Sequence, residues 1–291
     1  MNDLLTRITR LGLGPSAMID VASVIHGVRP AGLLHLAAAD DAALEEVLRH
    51  AGLAVIHRRR LHRRSDPWSH DALLKSGAEN FGPDAANDSA CWSETWFARR
   101  GILMPGGDEL EGRTGEMLGY PSCCIAANRG CVSLLPYYVT YLTSGRAGLW
   151  QVNRLATAMT GARLLPDYFP CELRCAGSLS LSESCAAAAR REVGDAWVAS
   201  VAADLMAPLT LWSGSLVLWR EWSSDGGVLE LRSPRAVSIS VTAIARVPRG
   251  VIPESEGPML IPFAHLGNPR AARLRSSDGS EVEVALPHFD Q

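Results

Sequence analysis

Four cysteines fall in two compact groups. Cys123 and Cys124 close the run Gly119-Tyr120-Pro121-Ser122-Cys123-Cys124, and Cys171 and Cys175 bracket Glu172-Leu173-Arg174 just after Phe169-Pro170. Each group follows an aromatic-proline dipeptide and runs into a segment that could be helical. The thiolate, not the thiol, is the metal ligand and the nucleophile. Proline suits the first position of a helix, because it has no N–H to lose and its φ is already correct. Helices beginning at Pro121 and Pro170 would place cysteines in first turns, where exposed N–H groups and the helix dipole favour a thiolate. On such a helix Cys175, four residues after Cys171, would point to the same side. Ser178, three residues further on, would lie near enough to hydrogen-bond a sulfur. Two groups built alike suggest one shared site.

Four thiolates can bind zinc or an iron–sulfur cluster. Structural zinc sites use pairs with two to four intervening residues, which Cys171–Cys175 satisfies and adjacent Cys123–Cys124 does not. Neighbouring cysteines are expected to strain a single tetrahedral ion, whereas a cluster could take them on different irons. The leading expectation is therefore an iron–sulfur cluster, of the 4Fe-4S type, ligated by Cys123, Cys124, Cys171 and Cys175. If one of the vicinal pair is not a ligand, the remaining open iron could act on a substrate as a Lewis acid. Zinc is the alternative cofactor. A thiol redox or sulfur-transfer site is the third reading. The simplest reading, small buried hydrophobes, accounts poorly for two proline-flanked pairs.

The run Gly115-Glu116-Met117-Leu118-Gly119-Tyr120-Pro121-Ser122-Cys123-Cys124, with the later Pro170-Cys171-Glu172-Leu173-Arg174-Cys175-Ala176-Gly177-Ser178, resembles a group of prokaryotic proteins carrying a GYPxCC segment and a later PCxxxCxxS segment. The resemblance spans residues 115–178. It implies that the four cysteines act as one unit, and it implies no particular reaction. In that group a histidine often precedes the proline-cysteine step. Here Asp167, Tyr168 and Phe169 stand at those positions.

Substrate-side candidates surround the cysteines. Glu116 could serve as a general base, Tyr120 could donate a hydrogen bond, and Arg174 could bind a carboxylate or phosphate. Glu111, Asp167, Glu172 and Tyr168 are further neighbours, and solvated helix faces or shielding of the site are their ordinary roles. Cys131, two helical turns after Cys124, is a further candidate ligand. Cys91 beside Trp92, and Cys185, read as packing residues. The eight histidines form no compact metal motif; His57 and His62 sit inside the basic run 57–64, and His26 and His35 stand alone. Metalloprotease, Walker A, dinucleotide-binding and nucleophile-elbow motifs do not occur.

The elements that must position these groups follow from periodicity. Pro15 to Gly27 has helical spacing at Met18, Val21, Ala22 and Ile25, and Ala31 to Ala37 reads as a buried strand. Asp40 suits an N-cap, Leu44, Val47, Leu48 and Ala51 form one face, Gly52 suits the C′ position, and Leu53 to His57 reads as a strand. Residues 65–90 read as a long loop. Cys91 to Arg100 fits a strand or a short helix. Leu110 to Gly119 is a helix weakened by Gly112 and Gly115, and Ser178 to Leu205 is the longest helical signal, with Gly194 its weak point. Beyond Pro208, Leu216 to Trp222, Val228 to Arg232, Ala236 to Ile244 and Arg273 to Leu286 read as strands, with turn signals at 224–227 and 278–279. Trp212, Trp219 and Trp222 gather at the start of that region, where packing is their default role. The expected class is α/β or α+β: a mixed sheet with helices over 1–208, then an antiparallel β-rich region over 209–291.

With 47% hydrophobic residues the chain has ample material for a core. Its net charge of −3 offers no electrostatic footprint for nucleic acid. No uncharged apolar run of about 18 residues suggests a membrane span, and the first fifteen residues lack the apolar core of a signal peptide. A cytoplasmic protein is expected, where clustered cysteines serve metals or catalysis rather than disulfides. The functional expectation is an iron–sulfur enzyme acting on a small molecule, as in small-molecule biosynthesis. Its alternatives are a zinc-stabilised module with a partner surface on the β region, and a thiol redox or sulfur-transfer enzyme.

Overall fold

The computed structural model of the chain describes residues 3–63, 81–82, 91–102, 113–127, 149–152, 163–166, 168, 170–172, 174–212, 215–225, 228–238, 259–260, 266, 271–275 and 281–285. Two helices open it, the amphipathic α1 (Asp3–Arg10) and α2 (Pro15–Ile25), buried all round from Ala17 to Val24, followed by β1 (Ala31–Ala37), α3 (Asp41–His50) and β2 (Leu53–Arg63). Helix α2 begins on Pro15, as its φ favours. Asp40 takes the N-cap position of α3 without a side-chain cap bond. Leu44, Val47 and Leu48 form the buried face of α3, and Gly52 leaves it with φ +75°. The alternating apolar order reads through correctly here because each element is short and bounded by its own turn.

β3 (Phe81–Gly82) and β4 (Cys91–Arg99) complete the first sheet, in the order β1-β4-β2-β3. The ambiguous segment at 91–100 is thus a strand, and it lies between β1 and β2. All pairings in this sheet are antiparallel. Other residues of the expected loop at 65–90 lie outside the described residues.

Within the expected helix at 110–119, the described residues form one helical turn, α4 (Thr114–Met117), followed by α5 (Ser122–Ala127), and 110–112 lie outside the described residues. The long helical signal becomes two helices, α6 (Ala176–Val193) and α7 (Asp195–Met206), separated at Gly194 with φ +87°. The C-terminal strands are β5 (Leu209–Trp212), β6 (Ser215–Asp225), β7 (Val228–Ser238), β8 (Met259–Leu260), β9 (Ala271–Arg275) and β10 (Glu281–Ala285), in the order β10-β9-β7-β6-β5-β8. The expected strand at 236–244 is the end of β7 as far as Ser238, and its remainder lies outside the described residues.

The fold is α+β. In detail the sheet types exchange places: among the described residues the one parallel pair is β7 with β9, in the second sheet, while the pairs of the first sheet are antiparallel. Strand β4 separates β1 from β2 and so prevents their parallel contact. Pro234 sits in β7 opposite Trp219, beyond the stretch Val228–Leu231 that pairs with β9. A residue without an N–H is tolerated where only one edge of a strand is paired.

One apolar cluster joins the layers. It takes in Met18, Ile19, Val21 and Ala22 of α2, Leu34 and Leu36 of β1, Phe97 of β4, Ala186 and Ala189 of α6, Val198 and Val201 of α7, and Trp219, Leu229 and Leu274 of the second sheet. Small residues on α6 let α2 come close, and His26 bonds Glu192 across the pair at 2.8 Å. Trp219 is buried as expected, and its indole N–H donates to Thr210 Oγ1 at 3.0 Å. Trp222 is half-buried against the same cluster, and the side chain of Trp212 lies outside the described residues. Among the described residues no helix is long and apolar enough to cross a membrane.

Gly32 of β1 faces Phe97 of β4 in register. A Cβ at Gly32 would lie 2.1 Å from Phe97 Cζ, so the fully buried ring occupies the space that a side chain would need. Gly32→Val is expected to lower the unfolding free energy by about 1–3 kcal/mol through overpacking, despite the better strand propensity of valine. Urea denaturation reads this directly; an unchanged midpoint would show that the ring moves away at no cost.

Candidate metal centre

The first cysteine pair is delivered by a tight reversal. At the end of α4, Gly119 has φ +74°, the left-handed conformation that glycine adopts without penalty. Its N–H donates to the Glu116 carbonyl at 3.0 Å and the Tyr120 N–H to the Gly115 carbonyl at 2.8 Å, the bond pattern that closes a helix through a left-handed residue. Arg29, 2% exposed, secures this turn from the core: its Nε donates to the Leu118 carbonyl at 2.7 Å. A buried guanidinium needs a counter-charge. Asp20 of α2 supplies it, pairing with both Arg29 and Arg163. The chain then enters α5, where the Pro121 carbonyl accepts from the N–H groups of Cys124 and Ile125 at 2.9 and 3.0 Å. Cys123 and Cys124 fall in the first turn of α5, as their position after proline implied.

The second pair is held differently from the expectation. No helix starts at Pro170. Residues 171 and 172 bend and Arg174 turns, closed by Cys175 N–H to the Glu172 carbonyl at 3.3 Å, and α6 starts only at Ala176. Cys175 is therefore the N-cap, and its sulfur accepts from the Ser178 N–H at 3.4 Å. Cys171 and Cys175 do not share a helical face; the turn between them brings their sulfurs together. The first turn of α6 can approach α5 because Gly177 has no side chain. A Cβ there would lie 2.9 Å from Pro121 Cβ and 3.8 Å from Cys123 Sγ.

These two placements bring the four sulfurs within 4.8 Å of one another. Cys123 Sγ lies 3.9 Å from Cys124 Sγ and 3.7 Å from Cys175 Sγ, and Cys124 Sγ lies 3.6 Å from Cys175 Sγ. The donor set could hold a metal ion. Adjacent cysteines were expected to strain a shared tetrahedral ion. The first turn of α5 splays the two side chains to 3.9 Å, a separation close to the other measured edges.

The surroundings of the sulfurs are layered. Cys124 and Cys175 are buried, and Cys123 and Cys171 are exposed. Cys124 Sγ accepts from the Cys171 N–H at 3.3 Å and lies 3.3 Å from Ser178 Oγ. Tyr168 donates its hydroxyl to Ser178 Oγ at 2.9 Å, so a hydroxyl chain runs from Tyr168 to the sulfur. Tyr120 stacks on Tyr168 with ring centroids 4.4 Å apart. Tyr168 packs with Leu165 around the buried pair, and Tyr120, Leu149 and Leu181 close the apolar wall.

Burial pushes the Cys124 thiol up to about 11, although Ser178 and the Cys171 N–H pull it back in part. Burial and the hydrogen bond with Cys175 also push Cys171 well up. Cys175 goes the other way. Burial raises it, but the Ser178 hydroxyl and N–H and the thiols of Cys124 and Cys171 together outweigh burial and bring it to about 7. Burial raises the Tyr168 phenol as well, which keeps it a hydrogen-bond donor.

The other sequence candidates take varied places. Tyr120 and Tyr168 border the sulfurs, as expected. Glu116 is exposed on α4 and pairs with Arg113 at 2.9 Å. Arg174 and Glu172 are exposed in the turn between Cys171 and Cys175. Cys185 is fully buried in the main core; burial raises its thiol to about 12, in keeping with a packing role. Glu111, Cys131, Asp167 and the side chain of Cys91 lie outside the described residues. Sequence reasoning found Ser178 but missed Gly177 and the Asp20–Arg29 support. The approach of Arg29 to Leu118, 89 residues away, leaves no local trace in the sequence.

No protein-family model, curated protein or solved structure matches the chain. The chemistry of the sulfur cluster is thus the ground on which a function can be read.

Ser178 touches both buried sulfurs, one through its hydroxyl and one through its N–H. Groups that bond to metal ligands typically contribute 10–100-fold to affinity. Ser178→Ala keeps the N–H and removes the hydroxyl, and is expected to weaken metal binding by about tenfold in a competition titration with a zinc chelator. An unchanged affinity would mean that the hydroxyl chain from Tyr168 does not act on the centre.

Proposed function

We propose that the protein is a metalloprotein whose centre is a single ion held by the thiolates of Cys123, Cys124, Cys171 and Cys175, with zinc the best-fitting ion. One observation carries this reading. Zinc–sulfur bonds of about 2.3 Å in a tetrahedron set sulfur–sulfur edges of about 3.8 Å; the edges among Cys123, Cys124 and Cys175 are 3.6, 3.7 and 3.9 Å, and Cys171 Sγ lies within 4.8 Å of each. A four-iron cluster binds each thiolate through a different iron, and it would require the sulfurs to move further apart. Each sulfur pair is mounted on a different element, so an ion here would tie α5 and the 170–175 turn to α6. Helix α5 has six residues, too few to be stable alone, and the ion would fix it. Tyr120 and Tyr168 would shield the buried side of the ion, leaving Cys123 and Cys171 towards solvent.

The test is metal and acid-labile sulfide content of anaerobically purified protein, with a visible spectrum of the same sample. About one zinc per chain without sulfide is the expected result. Iron and sulfide in near-equal amounts would replace this reading with the cluster and its small-molecule chemistry. A metal-free protein with a titratable disulfide would replace it with thiol redox or sulfur transfer.

Two outcomes follow from the same centre. Cys175→Ser is expected to lose the ion and stability together, because metal binding is coupled to folding; full metal content in that variant would remove Cys175 from the ligand set. Affinity also depends on pH. Cys124 and Cys171 are protonated near neutral pH, so an ion must displace at least their two protons, and affinity rises with pH. Below about 7 Cys175 takes up a proton too, so the rise is steeper there. Zinc titrations in lightly buffered solution at several pH values measure the released protons. A pH-independent affinity would show that the thiols are not the ligands.

A further inference from the structure

We infer that the centre is also a reactive one: its exposed edge, Cys123 and Cys171, acts as a metal-bound thiolate nucleophile towards soft alkyl electrophiles. This inference rests on the proposed binding of a metal by the four thiolates. Two independent asymmetries point to it. The first is access, since Cys124 and Cys175 are buried and Cys123 and Cys171 are exposed.

The second is hydrogen bonding. Cys124 Sγ accepts from the Cys171 N–H and lies against the Ser178 hydroxyl, and Cys175 Sγ accepts from the Ser178 N–H. Among the described residues, the sulfurs of Cys123 and Cys171 have only thiols as hydrogen-bonding neighbours.

Four thiolates on one divalent ion carry an excess of negative charge. N–H and O–H donors withdraw electron density from the sulfurs they touch, which here are the buried ones. The undamped density therefore stays on the two sulfurs that an incoming molecule can reach. Lone-pair availability and access coincide on one edge.

The step is a displacement at carbon. A lone pair on Cys123 or Cys171 forms the carbon–sulfur bond as the carbon–leaving-group bond breaks, and the leaving group departs with that electron pair. No oxidant, reductant or proton acceptor is required, because a metal-bound thiolate carries no proton. The thioether product is neutral and a weaker ligand than the thiolate, so each event loosens the ion. The ligand class is a primary alkyl carbon with a good leaving group.

The test uses the full-length zinc-loaded chain, with zinc content measured before each reaction. One equivalent of iodoacetamide is added, the adducts are located by peptide mass mapping, and zinc release is followed with a chromogenic indicator. The first adduct is expected on Cys123 or Cys171, with zinc release in step with it. Its rate should change by less than about twofold between about pH 6.5 and 8, whereas metal-free protein should react severalfold faster at the higher pH as its thiols ionise. Three results overturn the inference while leaving metal binding intact: four inert cysteines in zinc-loaded protein, a first adduct on Cys124 or Cys175, or a rate that falls as free zinc is raised. Failure to take up zinc would overturn both readings.

Discussion

The sulfur cluster depends on one close approach, that of the first turn of α6 to Pro121. A side chain at Gly177 would stand 2.9 Å from Pro121 Cβ, nearer than carbon atoms pack. The absence of that one carbon lets the N-terminus of α6 and the N-terminus of α5 share a single small volume. Cys175 caps one helix there, and Cys123 and Cys124 open the other. Neither helix brings the sulfurs together alone. The turn at 170–175 then needs only to fold back for Cys171 to complete the set, and its backbone N–H bonds to Cys124 Sγ in doing so.

Such an approach has to be held, because thiols packed together gain little from one another. In neutral form they are soft, weakly polar groups; in ionised form they repel. Burial pushes Cys124 up to about 11, with the charge of Cys175 adding to it, whereas Cys175 comes down to about 7 because Ser178 and the neighbouring thiols outweigh its burial. A divalent ion inverts that logic, since it favours ionisation of all four at once. The same arrangement that is frustrated without a cation is complementary with one.

The sequence made the local parts of this picture legible. The buried strand at Ala31–Ala37, the α3 face at Leu44, Val47 and Leu48, and the break at Gly194 each follow from a period or a residue that acts within a few positions. The pairing of Cys123–Cys124 with Cys171–Cys175 was legible too, from composition at two proline-flanked positions. What failed was the order of the strands and the start of the second helix. The insertion of β4 between β1 and β2 depends on which strand edges find each other, and no single strand encodes that. The helix expected at Pro170 failed because a proline permits a helix start without requiring one, and Cys175 with Ser178 forms a better start five residues later. Vicinal cysteines fall outside the usual pair spacing; in a helical first turn adjacent side chains diverge by roughly 100°, which here sets the sulfurs of Cys123 and Cys124 3.9 Å apart.

The support beneath the centre extends this reasoning into the main core. Arg29 is buried at a cost that its pairing with Asp20 and its bonds to the Leu118 carbonyl and the Ser23 hydroxyl offset. Asp20 belongs to α2, whose neighbouring residues Met18, Ile19, Val21 and Ala22 lie in the main apolar cluster. A displacement of the Gly119 turn would therefore leave a buried guanidinium short of an acceptor, and this penalty resists movement of Tyr120 and Pro121 more stiffly than apolar packing alone. The positions of Cys123 and Cys124 are set at one end by this charged strut and at the other by the Gly177 contact. A centre fixed at both ends can keep its exposed edge open to solvent without losing its geometry, because neither Cys123 nor Cys171 has to contribute packing to hold the site together.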